Sequence, residues 1–188
     1  MNDSERTWLG SYLDLYKTSI FDKSVHDDLL EAKAHWQDAQ TRGNKVIFVG
    51  NGGSAAMASH CAVDLTKSAK VRAISFNEAD LITCFANDYG YEEWMAKAVE
   101  FYADEGDILV SISSSGQSEN VLRAAERAKQ MGIEVITFSG FEADNPLRQL
   151  GSINFWVDCR AYNVVEMTHH IWLLAVVDWI IGSAEYPA

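Results

Sequence analysis

Two short stretches of the chain carry groups that can hold an anion. Ser111 to Asn120, SISSSGQSEN, sets five serines and one glycine directly after the apolar run DILV. Gly50 to Ser54, GNGGS, follows the apolar run KVIFV in the same way. Hydroxyls and backbone amides at a helix start bind phosphate without a basic side chain. Here they would have to, because no Lys or Arg lies between Asp107 and Leu122; Ser113, Ser114, Ser115 and Ser118 are the candidates. GNGGS lacks the lysine of a Walker A loop, and its glycines do not match G-x-G-x-x-G, so a small phosphorylated molecule fits better than a nucleotide. A second group of residues suits proton transfer. Glu166 and His170 stand four apart, on one face of a helix, with His169 beside them, a spacing that serves a base or a metal-ligand pair. The competing readings are plain ones: Ser and Gly are ordinary turn residues, and a Glu and two histidines can be polar contacts inside a helix bundle.

These residues need a scaffold, and the apolar runs supply one. KVIFVG, VRAISF, DILVSI, EVITFSG and INFWVDC are rich in Val, Ile and Phe and bounded by Gly, Asn, Asp or Ser, which predicts five strands. Between them lie helical patterns: SAAMASHCAVDLTK, EADLITCFA with EEWMAKAVEFYA, SENVLRAAERAKQM and a short NPLRQL. Strands alternating with helices predict an α/β fold with a doubly wound, five-stranded parallel sheet, flanked by helices on both faces. Residues 1–44 read as an N-terminal helical segment and 45–182 as the α/β core with a C-terminal helix, all within one domain spanning 1–188. GNGGS and SISSSGQSEN then both fall at strand C-terminal ends, the edge where open α/β sheets bind ligands. The C-terminal helix is apolar nearly all round, which predicts burial on every side through self-association, with Trp36, Trp172 and Trp179 in the oligomer core.

Composition narrows the function classes. Of 188 residues, 48% are hydrophobic and 22% charged, as in a globular domain with a substantial core. The net charge of -12 and the lack of a basic stripe argue against nucleic acid as a partner. Cys61, Cys84 and Cys159 have no C-x-x-C spacing, so they form neither a disulfide framework nor a cysteine zinc site. MNDSERTWLG has no signal-peptide pattern, which predicts a cytoplasmic protein. VVEMTHHIWLLAVVDWIIG is interrupted by Glu166, His169, His170 and Asp178, and its clean apolar run falls short of the ~18 residues of a membrane span.

GNGGSAAMASH, CFANDYGY, ISSSGQS and EMTHH occur in the order found in sugar isomerase (SIS) domains, and over Lys45 to Gly182 the chain resembles the phosphoheptose isomerase branch. The resemblance implies a SIS-type α/β sandwich, a homotetramer built on the N- and C-terminal helices, and interconversion of ketose and aldose phosphates through an enediol. It assigns the sugar phosphate to Ser113, Ser114, Ser115 and Ser118, and the sugar pocket to Asn51, Gly52, Gly53, Ser54 and Asp88. It also implies catalytic roles for His60 and Asp64, four apart on the first core helix, where the family has His and Glu. In the family a Gln and a second His from the C-terminal helix join that pair and can hold zinc; here those positions are Val165 and Leu173. With two ligand positions missing, no cofactor and no tightly bound metal is expected, and Glu166 and His170 are the catalytic candidates on that helix. The same departures leave open a non-catalytic reading, a phosphosugar sensor or an adaptor resembling the DnaA initiator-associating protein.

Overall fold

The computed structural model describes residues 2–186. All five predicted strands form: β1 Val46–Gly50, β2 Ala73–Ser75, β3 Ile108–Ser113, β4 Glu134–Gly140 and β5 Ile153–Val157. They make one sheet, every pair parallel, in the order β2-β1-β3-β4-β5. β1 and β3 are buried along their whole length, and β4 after its first residue, as continuous apolar runs require of strands covered on both faces. β5, at an edge, alternates between buried and partly buried residues.

The helices are α1 Asp3–Ile20, α2 His26–Arg42, α3 Gly53–Lys67, α4 Ala79–Tyr89, α5 Trp94–Tyr102, α6 Glu119–Gln130 and α7 Tyr162–Ile181. α2, α3 and α7 bury one face of the sheet, where Trp36, Phe48, Met57, Leu65, Phe138 and Leu173 share a core. α5 and α6 cover the other face with α4 against them, packing Trp94, Met95, Val99 and Val121, together with Leu147 from the segment between β4 and β5, on Ile47 and Leu109. α1 lies outside, against α7.

Within the single chain α7 buries one face: Val164, Val165, Thr168, His169, Trp172, Leu173, Val176 and Val177 point to the core, while Met167, Ile171 and Trp179 are exposed, the face that the expected self-association would cover. The expectation that three tryptophans share an oligomer core is corrected for two of them. Trp36 and Trp172 are buried within the single chain, the first edge-on to Phe48, and only Trp179 reaches the surface, with the Lys33 ammonium over its ring. The helix is long and apolar enough to cross a membrane, but its buried face packs on the sheet and on α2 and α3, the position of a core helix.

Candidate active site

Strand order reverses between β1 and β3, since the chain runs from β1 out to β2 and returns to β3 on the other side. At such a switch point the strand ends open a crevice. Gly50 pairs with Ile112, so the turns after β1 and β3 leave the sheet at one level. α3 and α6 both begin at this crevice, and the first-turn N–H groups of each have no intrahelical acceptor.

The turns are tied by a pair of amides. Asn51 Nδ2 donates to Asn120 Oδ1 at 2.8 Å, and Asn120 Nδ2 donates to Asn51 Oδ1 at 2.9 Å; the Tyr91 hydroxyl donates to the same Asn51 oxygen at 3.3 Å. Between the turns lies a cavity of about 130 Å³, walled by Asn51, Ser54, the four candidate serines, Tyr162 and Glu166. The Ser113 and Ser118 hydroxyls are 3.1 Å apart, and Ser115 Oγ accepts from the Gln117 amide. Ser114 Oγ is buried and, among the described residues, has no hydrogen-bond partner. A buried hydroxyl left unpaired costs free energy, and a ligand oxygen would satisfy it. A wider groove of about 510 Å³ along α3 and the β2 edge has no such convergence of helix starts and hydroxyls.

Glu166, from α7, closes the cavity from the side facing α3. Its carboxylate lies directly on Gly53, where any β-carbon would overlap it. Gly52 turns the chain into α3 with φ +55°, a conformation costly for residues with a side chain. The two glycines therefore let backbone and carboxylate meet. Burial pushes the Glu166 carboxyl above the usual carboxylate range, and no hydrogen bond to it among the described residues offsets that. A carboxyl so placed has the chemistry of a proton carrier.

One helical turn further along α7, His170 Nε2 is 2.9 Å from His60 Nδ1, and His60 Nε2 is 3.1 Å from Asp64 Oδ2. The order fixes the tautomers. An ionised Asp64 favours the proton on His60 Nε2, so His60 Nδ1 accepts from His170 Nε2–H, and His170 Nδ1 keeps a free lone pair. Burial, then the neighbouring His60, lowers the His170 pKa against the opposing pull of Asp64. The ring is therefore held neutral and able to accept a proton.

A family model for the SIS domain matches residues 15–140. The chain is 34% identical over 145 residues to the phosphoheptose isomerase of Fusobacterium nucleatum, a match covering 74% of each chain. It is 30% identical over 152 residues to that of Akkermansia muciniphila, covering 78% of this chain and 80% of the other. A phosphoheptose isomerase structure from Francisella tularensis superposes with a TM-score of 0.85 at 26% identity, over 97% of this chain and 99% of that one. The chain belongs to the SIS domain family, in its phosphoheptose isomerase branch.

Within this SIS fold the residues singled out in the sequence fall into two neighbouring groups and one outlier. Asn51, Ser54, Ser113, Ser114, Ser115, Ser118 and Glu166 wall the cavity, with Gly52 and Gly53 shaping its α3 side. His60, Asp64 and His170 form the adjoining chain of side chains. Asp88 is elsewhere: it sits in the last turn of α4, beside Asn87 and Cys84, and does not line the cavity. His169 has a structural task, since its ring is buried and Nε2 bonds to the Ser139 carbonyl at 2.9 Å. Asn120 and Tyr162 were not singled out. For Asn120 a local signal exists, a carboxamide one residue inside the helix start; its Oδ1 accepts from the adjacent Val121 amide at 3.0 Å while the carboxamide also crosses to the other turn.

Proposed function

We propose that this chain isomerises a ketose phosphate of the phosphoheptose class, such as sedoheptulose 7-phosphate, through an enediol. The observation that carries this reading is the meeting, in one cavity, of the α6 N-terminus, the unpartnered Ser114 hydroxyl and the Glu166 carboxyl. The phosphate sits at the serines and the first-turn amides of α6. Glu166 takes a proton from C1; the C1–H electron pair forms the C1–C2 double bond, and the C2 carbonyl pair moves onto O2 to give an enediolate. His170, through its free Nδ1, takes the hydroxyl proton from O1 and delivers it to O2; the C1 carbonyl forms as C2 recovers its proton from Glu166. His60 and Asp64 hold its tautomer and share the positive charge that develops.

Zinc does not fit this donor set. Val165 and Leu173, at the positions where the resemblance expects two ligands, are buried among core side chains. His60 turns one nitrogen to His170 and the other to Asp64, so an ion between the rings would have two protein ligands, whereas a catalytic zinc has three. Among the described residues no group of three metal-binding side chains is assembled. The test is a panel of ketose phosphates followed for C1 proton exchange in deuterated water, before and after chelation, with elemental analysis of the same sample. Exchange on a seven-carbon ketose phosphate, unchanged by chelation, with well under one zinc per chain, is expected. Exchange that needs stoichiometric zinc would overturn the metal-free mechanism, and no exchange on any sugar would favour the adaptor reading.

The supporting assembly is a homo-oligomer. Trp8, Leu9, Leu13 and Phe21 on and just after α1, with Met167, Ile171 and Trp179 on α7, are exposed on helices that pack together, an apolar surface of the kind that marks interfaces. Light scattering is expected to give about four times the 20.9 kDa of one chain. Ile171→Asp should disperse it without unfolding the subunit, because that side chain is exposed in the single chain. Val177, by contrast, is buried in the chain's own core and tests folding. A 21 kDa species for the parent at micromolar concentration would remove the claim.

A further inference from the structure

We propose that Asn145, in the loop after β4, is the positioning residue of the phosphate loop, holding its peptide groups so that N–H rather than C=O faces the anion. The proposal rests on the reading of residues 113–118 as the phosphate cradle. Asn145 is 1% exposed, and its amide is fully employed. Nδ2 lies 2.8 Å from the Glu142 carbonyl, 3.1 Å from Ser139 Oγ and 3.3 Å from the Gly140 carbonyl, and Oδ1 accepts from the Arg148 amide at 3.0 Å. It packs beneath Gly116, whose φ is +65°, so closely that a β-carbon there would overlap the carboxamide.

The carbonyls of the loop show what this support achieves. Ser113 O accepts from Gly116 N at 2.9 Å, Ser114 O from Gly140 N at 2.9 Å, and Gly116 O from Leu147 N at 3.1 Å. Two of those donors, Gly140 and Leu147, belong to the segment that Asn145 ties together. With the carbonyls held back, the amides of Ser115, Ser118, Glu119 and Asn120 have no acceptor among the described residues. In a cradle without Lys or Arg, peptide orientation decides the sign of the local field, and one carbonyl turned inward would oppose a dianion. Asn145 also sets the distance to the chemistry. Ser139, whose hydroxyl it holds, gives its carbonyl to His169 on α7, the helix that carries Glu166 and His170.

The experiment is a double-mutant cycle read by calorimetry, with inorganic phosphate and sedoheptulose 7-phosphate as probes, on the parent, Asn145→Ala, Gly116→Ala and the double variant. Each single change is expected to weaken binding of both probes by about tenfold or more. The double variant should bind no worse than Gly116→Ala alone, because removing the carboxamide makes room for the new methyl group; interaction of this kind is the sign of contact. A merely structural residue would lower the unfolding temperature while leaving the affinity of the folded fraction unchanged. Should Asn145→Ala not fold, Asn145→Ser takes its place in the cycle. Ser113→Ala and Ser118→Ala are the control arm: if both bind phosphate as the parent does, the cradle itself is refuted. If they weaken binding while Asn145→Ala does not, or if the cycle is additive, the positioning role alone is overturned.

Discussion

Glu166→Gln is expected to slow C1 proton exchange by roughly 10²- to 10⁴-fold, the range that a positioned acid or base contributes, while affinity for the sugar phosphate stays close to the parent's. Gln keeps the volume of Glu and so preserves the packing on Gly53, and the cradle is untouched. What disappears is the group that can carry the proton. The pH profile of the parent offers a second check. Burial raises the Glu166 pKa, and a phosphate bound in the same cavity adds like charge that raises it further. The acid limb of kcat/KM, which reports the free enzyme, should therefore lie above the ordinary carboxylate range through burial alone, that of kcat higher still, and both should be missing from whatever activity the Gln variant retains. A Gln variant that exchanges C1 protons within tenfold of the parent would transfer the role of base to Asp64 or His170.

The second large effect concerns stability in mild acid. His169 is wholly buried, and burial, only partly opposed by its bond to the Ser139 carbonyl, lowers its pKa to about 4. An unfolded histidine titrates near 6.5, so between these values the unfolded chain binds the additional proton and the folded one does not. Stability from this residue is intact above pH 6.5 and is lost as pH falls toward 4, by about 3 kcal/mol in all. Denaturant unfolding at pH 7.5 and 4.5, at one protein concentration, should resolve it. In His169→Gln, whose amide can still donate to the Ser139 carbonyl, the drop should shrink by most of that amount. Carboxylates with lowered pKa, such as Asp22, held by the Ser24 amide, contribute their loss at lower pH and do not mimic the effect. If parent and variant lose equal stability across this window, the ring is not buried in its neutral form.

Much of the scaffold was legible because each apolar run is short, β-branched and closed by a turn residue. Two such turns at strand ends were enough to locate the cavity. The departures have physical causes. α7 is apolar on all sides, so its composition carries no period from which to tell the buried stripe of Val165, Thr168, His169 and Trp172 from the exposed one of Met167, Ile171 and Trp179. The site residues not singled out are two asparagines and Tyr162. Asn120 and Asn145 look like cap or turn residues in their own neighbourhoods, and their meaning lies in partners elsewhere, Asn51 across 69 residues of chain and Gly116 on another strand's loop. His60 and His170 were each singled out, but nothing local says that rings 110 residues apart touch.

The strand order has a consequence for the growing polypeptide. β1, entirely apolar apart from its last glycine, sits between β2 and β3, and β3 ends at Ser113. During synthesis, the chain up to about residue 100 can offer β1 only the three-residue β2 as a strand neighbour, with its other edge unpaired. Parallel pairing across so long a separation is slow to reward the entropy it costs. α2 and α3 can fold early from local contacts and lie over one face of that strand, a temporary roof for a nascent chain whose central edge stays open until β3 leaves the ribosome.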